Sequence, residues 1–224
     1  MKKRVWLFHL FNDFSGSPLV LKNSVLALQE HAEITICTST GVGFLSDLGP
    51  ANYHYVNYEW SPNKFLTLLR FFRVQFTSFW LIFSKRSKID IVYVNTLLPF
   101  GAAIAGWLCG KKVVYHIHEP QISPQLLFSI LSFIAFKTSD EVFFVSDYLK
   151  TCFPQLEARG KVLPNVLNDE FKSSIEPVNN EERTSVLMLC SYKEYKGVYD
   201  FVQLAELNPN VLFNLVLNSS ASFI

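Results

Sequence analysis

The chain has 224 residues, half of them hydrophobic and 17% charged, with a formal net charge of +1. That composition builds a core, excludes an intrinsically disordered chain and gives no electrostatic case for binding nucleic acid. At roughly 100–200 residues per domain, the length fits one large domain or one and part of a second.

The opening, MKKRVWLFHLFND, imitates a secretory leader. Its apolar run is short, however, contains His9 and meets Asn12 and Asp13 without a small-residue cleavage site, so it reads as a first strand. From there β-rich runs recur at Arg4–Leu10, Glu33–Thr38, Tyr53–Tyr58, Ile89–Asn95, Lys112–His118, Glu141–Ser146 and Lys161–Leu163. Segments with helical spacing lie between most of them, at Pro18–Glu30, Asn63–Ser84, Gly101–Leu108 and Ser123–Lys137. Alternation of this kind predicts a Rossmann-like α/β domain over residues 1–167, a parallel sheet with helices on both faces. Several strands are apolar on both sides, as covered parallel strands should be.

The helical segment within 61–88 carries six basic residues, no acidic ones and seven aromatics. At 100° per residue Phe65, Leu68, Leu69, Phe72, Phe76, Phe79, Trp80 and Phe83 form one stripe, expected to pack on the sheet. The opposite side mixes Arg70 and Arg73 with Phe71, Val74, Leu81 and Ile82. It suits either burial under a neighbouring helix or the headgroup layer of an anionic membrane. No stretch reaches 18 uncharged apolar residues, so no spanning helix is expected.

Residues 168–185, NDEFKSSIEPVNNEERTS, are polar and charged and read as a linker. A second Rossmann-like unit begins beyond it at 186–224, with strand Val186–Cys190, helix Gly197–Leu207 and strand Val211–Leu217. Two strands and a helix cannot close a core, so this unit is expected to be incomplete. The four cysteines, Cys37, Cys109, Cys152 and Cys190, are far apart and form no CxxC pair; reduced core thiols are expected, not zinc or disulfides.

Ligands of open parallel sheets sit outside the carboxyl ends of the strands. Here those ends read FNDFSGSP, NTLLP from Asn95, HIHEP and VSDYL. The third presents His118 and Glu119 to a cleft. In the first, Ser17 is expected to cap a helix that Pro18 opens, and Gly16 to let the backbone approach a ligand, so that free N–H groups face an anion or hydroxyl. An ordinary strand–turn–helix junction is the alternative. His9 and His54 read as structural, and His31 as surface. TGVGF at 40–44 follows the wrong strand for a dinucleotide fingerprint, and no Walker, GxSxG or HExxH motif occurs.

Taken in order, SGSP, HIHEP, VSDYLK, LPNVLNDEF and VLMLCSYKEYKG resemble the retaining glycosyltransferases of family 4. The resemblance implies a GT-B fold, in which two Rossmann-like domains face each other. It implies a sugar moved from a nucleotide-diphosphate donor to a saccharide or lipid-linked acceptor, in surface polysaccharide synthesis, in the cytoplasm or on the inner face of the cell membrane. It also implies roles. His118 would hydrogen-bond the donor sugar, Gly16 and Ser17 would hold a phosphate, and Asn165 of the PN pair lies where the chain passes to the second domain. Lys196 matches the lysine that neutralises the diphosphate. No cofactor and no metal are implied, in keeping with the absence of a DxD triplet. The family's usual Gly-Arg is here Cys190-Ser191, with Lys193 as substitute for the arginine, and the glycine after PN is Val166. The family's paired glutamates belong further along than Ile224, so residues 1–224 alone are expected not to catalyse transfer. A GT-B nucleotide-sugar epimerase and a non-catalytic docking module are the rival readings.

Overall fold

Seven runs of the sequence become the seven strands of one parallel sheet. The computed structural model describes residues 2–59, 61–167, 169–174, 185–192 and 196–217. The strands are β1 (Lys3–Phe8), β2 (Ala32–Thr38), β3 (Asn52–Tyr55), β4 (Ile91–Asn95), β5 (Lys112–Ile117), β6 (Glu141–Phe144) and β7 (Gly160–Val162). They lie side by side as β3-β2-β1-β4-β5-β6-β7, every neighbouring pair parallel. The helices are α1 (Gly16–Leu28), α2 (Lys64–Lys85), α3 (Phe100–Leu108), α4 (Gln125–Thr138) and a short α5 (Asp147–Thr151). The last was not foreseen; Ser146 caps it, its Oγ accepting the Leu149 N–H at 3.1 Å.

The period-two alternation of each strand divides the core. Val5, Leu7, Tyr93 and Val114 meet α1 through Leu21 and Val25. Trp6, Phe8, Val92, Val94, Val113 and Tyr115 face the other way, onto Ile82 of α2, Ala102 and Ala105 of α3 and Leu131 of α4. The sheet winds outwards from β1 to β3 and then from β4 to β7, so the winding reverses between β1 and β4.

Helix α2 corrects the expected stripe. Its buried side chains are Phe71, Val74, Gln75, Ser78 and Ile82, so of the two expectations for the side holding Phe71, Val74 and Ile82 the structure gives burial under a neighbouring helix, not a membrane face. Of the expected core stripe, Phe65 is 69% exposed, Phe76 69% and Trp80 58%, with Leu68, Leu69, Phe72 and Phe83 exposed too. Only Phe79 is partly buried against the core. The reason lies in α3. A Cβ on Gly101 would stand 2.1 Å from the Gln75 carbonyl oxygen, and Gln75 Oε1 accepts the Gly101 N–H at 2.9 Å. Two backbones this close exclude a row of phenylalanines from between them. Helix α2 with its short extension to Lys88 is long and apolar enough to cross a membrane by length and composition, but its inner face is committed to α3.

The chain forms two compact units, Met1–Asn168 and Asp169–Ile224. Within the second unit a short helix, α6 (Asp169–Ser173), occupies the start of the expected linker, whose 175–184 portion lies outside the described residues. Strand β8 (Ser185–Cys190) pairs in parallel with β9 (Leu212–Leu217) through helix α7 (Val198–Leu207), a single βαβ turn. All four cysteines are free, and only Cys37 is buried.

Candidate functional site

The winding reverses between β1 and β4, where open parallel sheets place their ligands, and the register gathers a polar cluster at the carboxyl ends there. Alternation puts His9, Asn95, His116 and His118 all towards α1, because Val5 and Leu7, Tyr93, and Val114 precede them at even spacing. Asn95 pairs in register with His116. The Asn95 side chain is fully buried, and its amide bridges the cluster. Nδ2 donates to the Ser17 carbonyl at 3.1 Å and lies 3.1 Å from His9 Nδ1. Oδ1 sits 2.9 Å from His118 Nε2. The His116 and His118 rings are 4.4 Å apart, and Tyr93 Oη meets His116 Nδ1 at 2.7 Å. His9, expected to be structural, belongs to this network.

The turn after β4 is unusual. Thr96, a buried β-branched residue, has φ +74°, in the left-handed region that such residues avoid. It is held there by its N–H, which donates to the His116 carbonyl at 2.8 Å, while its Oγ1 accepts the Leu98 N–H at 3.2 Å. Strain of this kind concentrates where the backbone must aim functional groups.

Electrostatics make the pocket neutral. Burial lowers His9 and His116 to about 4. Burial, then the neighbouring imidazoles, lowers His118 to about 3. Burial raises the Glu119 carboxyl to about 7, and its Oε2 is buried without a partner. A neutral imidazole, followed in the chain by a carboxyl that is half protonated near pH 7, suits an uncharged polyol better than an anion. His118 and Glu119 lie just past the end of β5.

The first turn of α1 supplies the complementary chemistry. The helix begins two residues earlier than expected. Ser15 is the cap, with no side-chain capping bond, and Gly16 and Ser17 are the first helical residues, so Ser17 caps nothing. Ser15 instead donates its N–H to Asp13 Oδ1 at 2.9 Å. A Cβ on Gly16 would meet nothing within 4 Å, so this turn opens onto free space. The helix dipole and unpartnered N–H groups there favour an anion. Asn12, not singled out from sequence, organises the approach. Its Nδ2 donates to the Gly41 carbonyl and to Ser46 Oγ, both at 3.0 Å, and its Oδ1 accepts the Leu45 N–H at 3.0 Å. The TGVGF segment thereby packs against the loop after β1, and Gly43 has no room for a Cβ beside Asp13.

Asn165 is exposed and lines a cavity of about 200 Å³ with Val20, Ser24 and His116, on the α1 side of the same edge. Lys196 belongs to the second unit, directly before Gly197, whose left-handed φ of +77° starts α7. Lys193 lies outside the described residues.

A parallel sheet with helices on both faces and a polar cluster at its winding reversal defines the Rossmann-like half of a GT-B fold. The model of Glycosyltransferase Family 4 matches residues 15–171, and the chain belongs to that family. Among solved structures it is similar to Anabaena HepE in complex with UDP and glucose, at 17% identity and TM-score 0.66, covering 94% of this chain and 60% of that one. It is likewise similar to Acinetobacter baumannii MurG, at 13% and 0.57, covering 95% and 57%. A third likeness is to UDP-N-acetylglucosamine 2-epimerase from Rickettsia bellii, at 12% and 0.59, covering 96% and 62%. The chain thus spans about three fifths of the length of these structures. No curated protein matches the sequence.

Proposed function

We propose that the chain forms the acceptor-side domain and the opening of the donor-side domain of a retaining glycosyltransferase. This enzyme moves a sugar from a nucleotide diphosphate to a saccharide or lipid-linked acceptor in surface polysaccharide synthesis. The observation that carries the reading is the hydrogen-bonded Asn95 network, which presents the neutral His118 imidazole at the carboxyl edge of a family 4 domain. Neutral donors and acceptors recognise sugar hydroxyls, while the open first turn of α1 at Gly16 and Ser17 receives a phosphate. Lys196 and Lys193 neutralise the diphosphate leaving group in place of a metal.

The exposed aromatic stripe of α2 rests in the headgroup layer on the inner face of the cell membrane. Lys64, Arg73, Lys85, Arg86 and Lys88 accompany it, and segment 61–88 holds no acidic residue. A second copy of the helix would bring like charges together; an anionic bilayer would not.

The likeness to an epimerase keeps one rival in view. Mass spectrometry of the acceptor together with ¹H NMR of the nucleotide sugar, which resolves epimers of equal mass, separates the two, applied to the enzyme of the complete reading frame that contains this chain. The mixture holds uridine and guanosine diphosphate sugars, with and without saccharide and lipid-linked acceptors. Transfer predicts an acceptor that gains one sugar. An isomerised nucleotide sugar formed without acceptor would replace the reading with the epimerase.

A further inference from the structure

We infer that Asn95 is a positioning residue that holds His118 in the Nε2–H tautomer, so that His118 meets its ligand through Nδ1 as a hydrogen-bond acceptor only. The argument is an accounting of donors. The Ser17 carbonyl can only accept, so the Asn95 atom 3.1 Å from it must be the amide nitrogen. The other amide atom, Oδ1, can only accept, and it lies 2.9 Å from His118 Nε2. Nε2 therefore carries the proton. This orientation does not depend on His9, whose Nδ1 lies within reach of both the Asn95 amide and the Asn95 carbonyl.

His118 stays neutral at ordinary pH because burial opposes its charge. Its Nδ1 then bears a lone pair and no proton, and no described residue bonds to it. A phosphate or carboxylate oxygen brought to Nδ1 would meet lone pair with lone pair. A hydroxyl would donate to it. The same amide fastens the carbonyl of Ser17 in the first turn of α1. One fully buried side chain thus fixes both the phosphate-facing turn and the hydroxyl-facing ring, and it touches neither ligand group itself.

Only the identity of the ligand rests on the glycosyl-transfer reading; the tautomer is a property of this chain. The test is ¹⁵N NMR of the histidine-labelled protein, with Asn95→Leu and Asn95→Asp beside the wild type. In the wild type, His118 Nε2 is expected to be protonated and Nδ1 bare from pH 5 to 9. Asn95→Leu removes the acceptor, so a mixture of tautomers appears. Asn95→Asp keeps an acceptor and adds a charge, so Nε2 stays protonated and the ring titrates at least one pH unit higher. A wild-type ring protonated at Nδ1, or an unchanged tautomer in Asn95→Leu, overturns the inference. Should the leucine variant fail to fold, the wild-type spectrum and the aspartate variant decide. Added UDP-glucose is expected to shift Nδ1, and pyrophosphate to leave it in place. A shift with pyrophosphate alone overturns the acceptor-only role. The stated tautomer without any response to UDP-glucose upholds Asn95 and counts against the donor reading.

Discussion

The carboxyl edge of the sheet and the outer face of α2 lie in one domain and are built in opposite ways. At the sheet edge polar groups are buried and most are satisfied, Asn95 bridging His118, Ser17 and His9. On α2 apolar groups are exposed and unsatisfied, from Phe65 to Phe83. Soluble surfaces seldom carry large contiguous apolar patches, and cores seldom carry imidazole clusters. Each region therefore departs from what folding alone requires, and the proposed function gives each a partner, a nucleotide sugar at the edge and a membrane at the helix.

Substitution on the two sides of α2 breaks or sharpens that comparison most. Replacing Phe72, Phe76 and Trp80 together by serine is expected to lower binding to phosphatidylglycerol vesicles by roughly 100-fold or more, with little change in urea stability. Phe71→Ala, on the buried side of the same helix, is expected to cost about 3–5 kcal/mol in the same melts and to leave vesicle affinity alone. If the serine variant unfolds instead, the stripe is core and the membrane reading falls.

A smaller effect, in pH, belongs to the sheet edge. The folded-state pKa values of His9, His116 and His118 lie below the unfolded value of 6.5. Below 6.5 the unfolded chain takes up protons that the folded chain refuses, so stability falls with pH, by about 2 kcal/mol per imidazole at pH 5. Glu119 acts in the opposite sense. Its folded value of about 7 exceeds the ordinary 4.5, so its burial costs stability as pH rises through that window. Glu119→Gln is expected to recover about 3 kcal/mol at pH 7 and above and to steepen the acid limb, because its window of 4.5 to 7 overlaps that of the imidazoles. Chemical denaturation from pH 5 to 8 reads both limbs; a flat profile would mean that the cluster is solvated.

The two regions also differ in how far the sequence discloses them. Strand identity was legible because runs such as Ile89–Asn95 and Lys112–His118 are β-branched, aromatic and punctuated by turn residues. The face of α2 was not, because both sides of the helix are apolar. What decides between them is the close approach of Gly101 to Gln75, a contact between residues 26 positions apart. At the sheet edge, His118 and Glu119 stood out as unlike their strand. Asn95 stood out as a candidate donor- or acceptor-binding residue at a strand end, but its role as a bridge did not. Its bonds to Ser17 and His118 depend on the register of β4 with β5 and on the winding reversal, which no local pattern encodes. The positive φ of Thr96 is equally invisible, because threonine is a residue one would not place there.

The central claim is that this edge receives the sugar of a nucleotide sugar at His118. Saturation-transfer NMR with UDP-glucose tests it directly, since it detects millimolar binding and resolves sugar from nucleoside protons. The account predicts saturation of the glucose ring that disappears in His118→Ala, while that variant stays folded. Glucose saturation that is absent from the wild type, or unchanged in His118→Ala, would contradict it.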